Sequence, residues 1–364
     1  MISKINNIVF ISLFLSLGLN QDCADLSGIS FPECGTVVGF GYVDGECQTM
    51  FCSTIDGYGV DWSNWIYSTI EECEHICLDE HLTLGDLNND SSINVLDIIQ
   101  LLEFLLQTQI PTVYELLVGD YNDDTSLDIL DIIGIVNMIL SNITIEKIQE
   151  ESGYSYQCYP NEMGQFPIIL YNHGGLGESI GGDLLNTCQT LSENGYLSRS
   201  EKREEIISLE GHLEEVLFAL NNLKNHEKAD SSKIGVIGFS RGGLLSLQTS
   251  ILDNNINALA LLAPATGNGL IFELYDDFDL INSSILIQIS ENDNSPENLV
   301  EVSYQVYNEL LENNINVEII EYPPYDSNFN GIIDEEDDGH QLFFIVQEPY
   351  WSDLINFLDE ILNN

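Results

Sequence analysis

Five residues in the second half of the chain, Gly238-Phe239-Ser240-Arg241-Gly242, carry the spacing G-x-S-x-G. They follow the apolar run Ile234–Ile237 and open a stretch, GLLSLQTSIL, of helical character. Between a strand and a helix this motif forms a sharp elbow: its glycines let the backbone turn, and the serine hydroxyl projects at the helix N-terminus. A serine hydroxyl needs a base to take its proton, and the base needs a carboxylate to hold its tautomer. Both follow in the order Ser, acid, His. After SILIQIS comes Glu291-Asn292-Asp293, where Asp293 is the favoured acid and Glu291 the runner-up. His340 lies beyond the next apolar run and is the histidine placed for the base. Of the others, His75 and His81 lie in or beside a cysteine-rich stretch, His173 ends an early run, and His212 and His226 flank the helix before the elbow. The expected chemistry is acyl transfer through Ser240, with His340 moving the proton and Asp293 stabilising the imidazolium. His173-Gly174-Gly175 is expected to form the oxyanion loop. Its donors would be the N–H of Arg241 and that of Gly175 or Leu176; a plain turn is the competing reading.

These residues need a scaffold. From about Glu151 the runs FPIILYN, KIGVIGF, NALALLAP, SILIQIS and NVEIIEYPP alternate with helical stretches, which predicts a parallel α/β sheet. LSENGYLSRSEKREEII shows no clear apolar strand, and 265–281 is a candidate pocket wall or short lid. ILYNHGGLG, GHLEEVLFALNNLK, KIGVIGFSRGGLLSL, GHQLFF and the closing YWSDLINFLDEIL together resemble the α/β-hydrolase superfamily, near its dienelactone-hydrolase-like and prolyl-oligopeptidase-like branches. The resemblance covers nearly all of 151–364. It implies hydrolysis of an ester, or less readily an amide, through an acyl-serine intermediate.

A second chemistry is written in an internal repeat. GDLNNDSSINVLDIIQLLEFLL, from Gly85, returns 34 residues later as GDYNDDTSLDILDIIGIVNMIL, with 10 of 22 positions identical. The first copy places oxygens at Asp86, Asn88, Asp90, Asn94 and Asp97, and the second at Asp120, Asn122, Asp124, Asp128 and Asp131. These are positions 1, 3, 5, 9 and 12 of a twelve-residue calcium loop; Ser92 and Ser126 at position 7 would add backbone carbonyls. The pair resembles a dockerin domain over 84–148, which implies calcium binding and a cohesin-like protein partner. Position 6 departs from the usual glycine, being Ser91 and Thr125. The residues before the last ligand are apolar, Val95-Leu96 and Ile129-Leu130. A self-contained calcium-stabilised spacer is the alternative. A third, single loop has the same alternation: Asp326, Asn328, Asn330, the carbonyl of Ile332, Asp334 and Asp337, with Gly331 at position 6 and His340 three residues on. An acidic surface loop is its competing reading.

The first segment has Lys4 followed by the apolar run Ile8–Leu19, as a secretory signal peptide over 1–20 would. Cys23, Cys34, Cys47, Cys52, Cys73 and Cys77 behind it predict a three-disulfide module over 21–80, with a zinc site as the competitor. GECQTMFC and EECEHIC weakly resemble a Kunitz-type domain, though no basic residue follows Cys34, which speaks against trypsin inhibition. Cys158 and Cys188 are left over. The chain has 9 Lys and Arg against 60 Asp and Glu, a net charge of −51, and no Lys or Arg from Gln21 to Glu146. That excludes most nucleic-acid binders and disfavours anionic membranes, since both partners need clustered cations. The expected protein is α/β in class: an α/β-hydrolase domain (151–364) preceded by an all-α dockerin-like pair and a small disulfide-rich module. It would be secreted, extracellular or periplasmic, hold calcium and hydrolyse an ester; by analogy with dockerin-bearing proteins, polysaccharide breakdown is the setting. The rivals are a secreted serine peptidase and a calcium-dependent scaffold whose hydrolase domain is inactive.

Overall fold

The computed structural model describes residues 26, 29–31, 35–43, 46–58, 60, 62, 63, 66, 67, 70 and 73, and from 81 to 363 all but 91, 123, 151–152, 176–179, 204–207, 295–296 and 335–337. The expected signal peptide, Cys23, Cys34, Cys77, Leu176 and Asp337 lie outside them. The chain divides into two compact units, Met1–Asp79 and Glu80–Asn364. Among the described residues no helix is long and apolar enough to cross a membrane.

In the first unit β1 (Val37–Val43) and β2 (Glu46–Phe51) form an antiparallel hairpin. Cys47 on β2 is joined to Cys73, and Phe40 pairs with Tyr67 across an isolated bridge. So small a module has little apolar core of its own, and such bonds compensate for that.

Among the described residues the second unit is built on one nine-stranded sheet. β3 (His81–Thr83) opens it. Helices α1 (Val95–Leu105), α2 (Val113–Gly119) and α3 (Ile129–Ser141) follow, then β4 (Ile143–Glu150), β5 (Gly153–Pro160) and β6 (Phe166–Asn172). Next come α4 (Leu184–Glu193), β7 (Leu197–Glu201), α5 (His212–Lys224), β8 (Ala229–Phe239) and α6 (Arg241–Leu252). β9 (Ala258–Leu262), α7 (Leu270–Glu273), β10 (Ser284–Ser290), α8 (Leu299–Glu312), β11 (Val317–Tyr322) and α9 (Tyr350–Leu362) complete it. The strand order is β11-β10-β9-β8-β6-β7-β5-β4-β3. From β11 to β7 neighbours are parallel; β5, β4 and β3 pair antiparallel, so the sheet is mixed where the sequence predicts a parallel one. The central strands are apolar on both faces, as strands covered by helices on each side must be: Ile168–Leu170, Val236, Ile237, Ala258–Leu261 and Ile287 are fully buried.

Two features were hidden from pattern reading. β7 lies inside the stretch without a clear strand, because its residues are Leu197-Ser-Arg-Ser-Glu201 and all five are buried. Ser198 Oγ satisfies the Cys188 carbonyl at 2.8 Å, and Arg199 pairs with Glu201 at 3.2 Å. Cys188 on α4 is itself bonded to Cys158 on β5. The sheet also runs past the boundary expected between 148 and 151. β3 and β4 are paired neighbours, His81 opposite Ile148 and Thr83 opposite Glu146, so the acidic repeats are a long excursion between the edge strand and the strand beside it. The second repeat is tied to the sheet domain, with Ser141 Oγ at the end of α3 bonded to Glu193 at 2.9 Å and the Tyr121 hydroxyl in its loop to Gln189.

Candidate active site

Ser240, Asp293 and His340 follow the C-terminal ends of β8, β10 and β11, the edge of a parallel sheet where ligand crevices form. Ser240 sits at the turn into α6 with φ 53° and ψ −116°, a left-handed backbone that a side-chain-bearing residue adopts only when its surroundings enforce it. They do so by close packing. A Cβ on Gly242 would lie 2.0 Å from the Asn172 carbonyl oxygen, and one on Gly238 would lie 2.3 Å from that of Gly242. The Ser240 N–H donates to Leu262 O at 2.8 Å, and its carbonyl accepts from Ala265 N–H at 2.9 Å. The obstacles are backbone atoms and cannot rotate away. Gly242→Ala is therefore expected to cost on the order of 3 kcal/mol by overpacking, read as a lowered melting temperature. An unchanged melting curve would contradict this packing.

Of the two candidate acids, Asp293 meets the histidine: its Oδ2 lies 2.8 Å from His340 Nδ1. Glu291 is exposed at the surface. Asp293 is fully buried, and its Oδ1 has no hydrogen-bond partner. Burial raises its pKa above the ordinary carboxylate value, against the hydrogen bond and charge of His340, which lower it. The imidazole packs on Phe239, the residue before the serine, with ring centroids 4.7 Å apart, and on Phe344 at 6.2 Å. His340 rides on a short 3-10 turn, Gly339–Phe343, capped by Asp338, whose carboxylate accepts the His340 N–H at 2.9 Å. Among the described residues no hydrogen bond joins His340 to the Ser240 hydroxyl; such contacts often tighten only with substrate.

The glycine turn after β6 lies beside the elbow. A Cβ on Gly174 would come 3.0 Å from Ser240 Cβ, and Gly174 exchanges two backbone hydrogen bonds with Gly181, at 2.7 and 3.0 Å. Gly175 has φ 91°, which glycine adopts without strain. His173 is buried and holds this turn. Its Nδ1 bonds the Gly174 carbonyl, and its Nε2 accepts the Arg203 N–H at 3.2 Å. Burial, then the Arg203 charge, hold its pKa well below the ordinary histidine value, so it is neutral. Arg203 Nη2 donates to the His173 carbonyl at 2.6 Å; burial and the nearby Arg241 push the Arg203 guanidinium down to about 10. Arg203 was not legible as a site residue, because nothing local marks an arginine that acts on a turn thirty residues away. The 265–281 region, expected as a wall or lid, folds into α7 and a 3-10 turn, Tyr275–Leu280. Thr266 Oγ1 ties its start to Glu297 at 2.7 and 2.8 Å, next to the acid-bearing loop.

The three acidic loops share local geometry. The first-position aspartate accepts the fifth-position N–H in each: Asp86 from Asp90 at 3.1 Å, Asp120 from Asp124 at 3.1 Å and Asp326 from Asn330 at 3.2 Å. Thr125 and Gly331, both at position 6, are left-handed, with φ 70° and 79°. Asn94 with Asp97, and Asp128 with Asp131, form capping boxes at the starts of α1 and α3. Among the described residues no three His, Cys, Asp or Glu side chains converge as a metal site would require.

Several solved structures resemble this chain. Esterase B from Lactobacillus rhamnosis, inhibited by a tributyrin phosphonate, has 14% identity and a TM-score of 0.46, covering 61% of this chain and 87% of its own. Fungal esterases from Rhizomucor miehei give 15% and 0.45, covering 63% and 88%. The acylaminoacyl peptidase of Pyrococcus horikoshii gives 14% and 0.46, covering 63% of this chain and 43% of its own. No curated protein matches. The C-terminal region has an α/β-hydrolase fold, and residues 200–361, from the end of β7 through nearly all of α9, match the model of the dienelactone hydrolase family.

Proposed function

We propose that the chain is a secreted serine hydrolase that cleaves carboxylic esters through an acyl-serine intermediate. The observation that carries this is an elbow serine, φ 53°, on the same sheet edge as a histidine bonded to a buried aspartate at 2.8 Å. Ser240 Oγ attacks the ester carbonyl while His340 Nε2 takes its proton; Asp293 holds Nδ1–H and stabilises the imidazolium. The N–H groups of Arg241 and of Gly175 or Leu176 bind the developing oxyanion. His340 then protonates the leaving alcohol, and water, activated in the same way, releases the acid. The test is labelling by a fluorophosphonate probe, followed by a panel of acyl esters and peptides. Labelling with ester turnover supports the reading. Cleavage of peptides alone would favour a peptidase, and no labelling would favour an inactive scaffold.

Calcium is the proposed cofactor. Asp86, Asn88, Asp90, Asn94, Asp97 and the Ser92 carbonyl would hold one ion; Asp120, Asn122, Asp124, Asp128, Asp131 and the Ser126 carbonyl a second; and Asp326, Asn328, Asn330, Asp334, Asp337 and the Ile332 carbonyl a third. The shared turn geometry supports this, and an ion would offset the mutual repulsion of these carboxylates. At a hundredfold excess over Kd each ion would stabilise the fold by about 2.7 kcal/mol. Chelation should therefore lower the melting temperature of the full chain, and Asp86→Ala with Asp120→Ala should remove two bound ions. Identical melting curves with chelator and with calcium would refute it. A cohesin-like protein is the proposed partner of the repeats; Val95, Leu96 and Ile99 on α1 and Ile129, Leu130 and Ile133 on α3 present apolar side chains to solvent at repeat-related positions.

A further inference from the structure

Asp293 and His340 are 47 residues apart in the chain and come from different loops, so something must hold the two loops in register. The residue just before the acid, Asn292, is bonded to both loops. Its Oδ1 accepts from Ser290 Oγ at 2.9 Å and from the Tyr325 N–H at 2.8 Å. Its Nδ2 donates to the Tyr325 carbonyl at 3.0 Å, so the side-chain amide pairs with one backbone residue through both donor and acceptor. Its own carbonyl accepts the Gly339 N–H at 3.3 Å, next to His340. Tyr325 and Gly339 are the two ends of the long segment between β11 and the histidine. Asn292 therefore grips that segment at entry and exit while its neighbour Asp293 is bonded to the imidazole.

The approach at Gly339 is close. A Cβ there would lie 2.5 Å from Asn292 Oδ1 and 2.7 Å from Asp293 N. The segment is also secured to itself, because the Asp338 N–H donates to Ser327 Oγ at 2.9 Å. We infer that Asn292 is a positioning residue that fixes the Asp293–His340 contact by clamping both ends of the 325–339 segment against the acid-bearing loop. The inference rests on the hydrolase reading above and adds a residue that touches no reacting atom. Without the side-chain amide the entry at Tyr325 loses both of its bonds and only the backbone bond from Gly339 to the Asn292 carbonyl still holds the segment, so the direction in which it delivers His340 is no longer fixed at both ends.

The test compares Asn292→Ala and Asn292→Asp with the parent and with Ser240→Ala, all in the full chain, on a p-nitrophenyl ester. Asn292→Ala should lower kcat on the order of 100-fold with KM changed by no more than about twofold, since a misplacement near 1 Å costs that much in the chemical step and little in ground-state binding. Asn292→Asp keeps the acceptor and loses the donor to Tyr325, and should fall between. The second readout is the low-field proton resonance of His340 Nδ1–H, which should broaden or vanish in both variants. A merely structural role would lower the melting temperature while the folded protein kept the parent kcat and resonance, and that result overturns the inference. If the alanine variant does not fold, the aspartate variant decides by the same two readouts. Ser240→Ala at parent activity would sink the hydrolase reading and this inference with it; Ser240→Ala inactive with Asn292 variants at parent kcat sinks the inference alone.

Discussion

Replacing Ser240 by alanine abolishes ester hydrolysis and fluorophosphonate labelling while leaving the melting temperature close to that of the parent. The expected loss in kcat is on the order of 10⁴-fold or more, because removing a nucleophile leaves only binding and oxyanion stabilisation to act. The structure explains why the fold should tolerate the change. The elbow is held by the Ser240 backbone, through the N–H to Leu262 and the carbonyl to Ala265, and by the glycines around it, none of which the substitution touches. Alanine at φ 53° bears the strain that serine already bears. Activity near the parent level in Ser240→Ala would remove the nucleophile assignment and the acyl-serine mechanism together.

Asp293→Asn is expected to separate activity from stability. Without the carboxylate the imidazole loses the partner that fixes its tautomer and stabilises its cation, so kcat should fall on the order of 10³- to 10⁴-fold. Stability should not fall with it. Burial raises the Asp293 pKa above its unfolded value, and Oδ1 has no partner, so the ionised carboxylate destabilises the folded chain at neutral pH. That cost is absent below the unfolded carboxyl pKa, about 3.9, and grows as pH rises through the raised folded value. Asparagine removes the charge. The variant should melt no lower than the parent near neutral pH, and its advantage should shrink as the pH approaches about 4, where both side chains become neutral. Thermal melts at the two pH values with parallel kinetics check this. A variant that keeps parent kcat, or melts far below the parent at neutral pH, would show that Asp293 is an ordinary buried ion-pair member.

What the sequence by itself determined is local. The apolar runs named the edge strand β11 and the central strands β6, β8, β9 and β10, the latter because a strand covered on both faces has to be apolar throughout. The glycines around Ser240 announced the elbow, because only glycine allows that turn against neighbouring backbone. The repeat spacing announced two loop–helix units whose polar residues proved to start α1 and α3 as capping boxes. What only the tertiary structure decided is which distant residues meet. Glu291 and Asp293 are equivalent as carboxylates two residues apart, and the end of β10 turns only the second toward His340. β7 is invisible to pattern reading because its polar residues are buried all the same, Ser198 bonded to the Cys188 carbonyl on α4 and Arg199 paired with Glu201 along the strand, and tertiary context overrides propensity. The repeats lie between paired strands β3 and β4, with Ile148 opposite His81, a pairing readable from neither segment alone. Asn292 looks like any loop asparagine until strand order brings Tyr325 and Gly339 to it. Periodicity records which face a residue shows its own element; strand order and register set which loops share an edge of the sheet, and that depends on the whole chain at once.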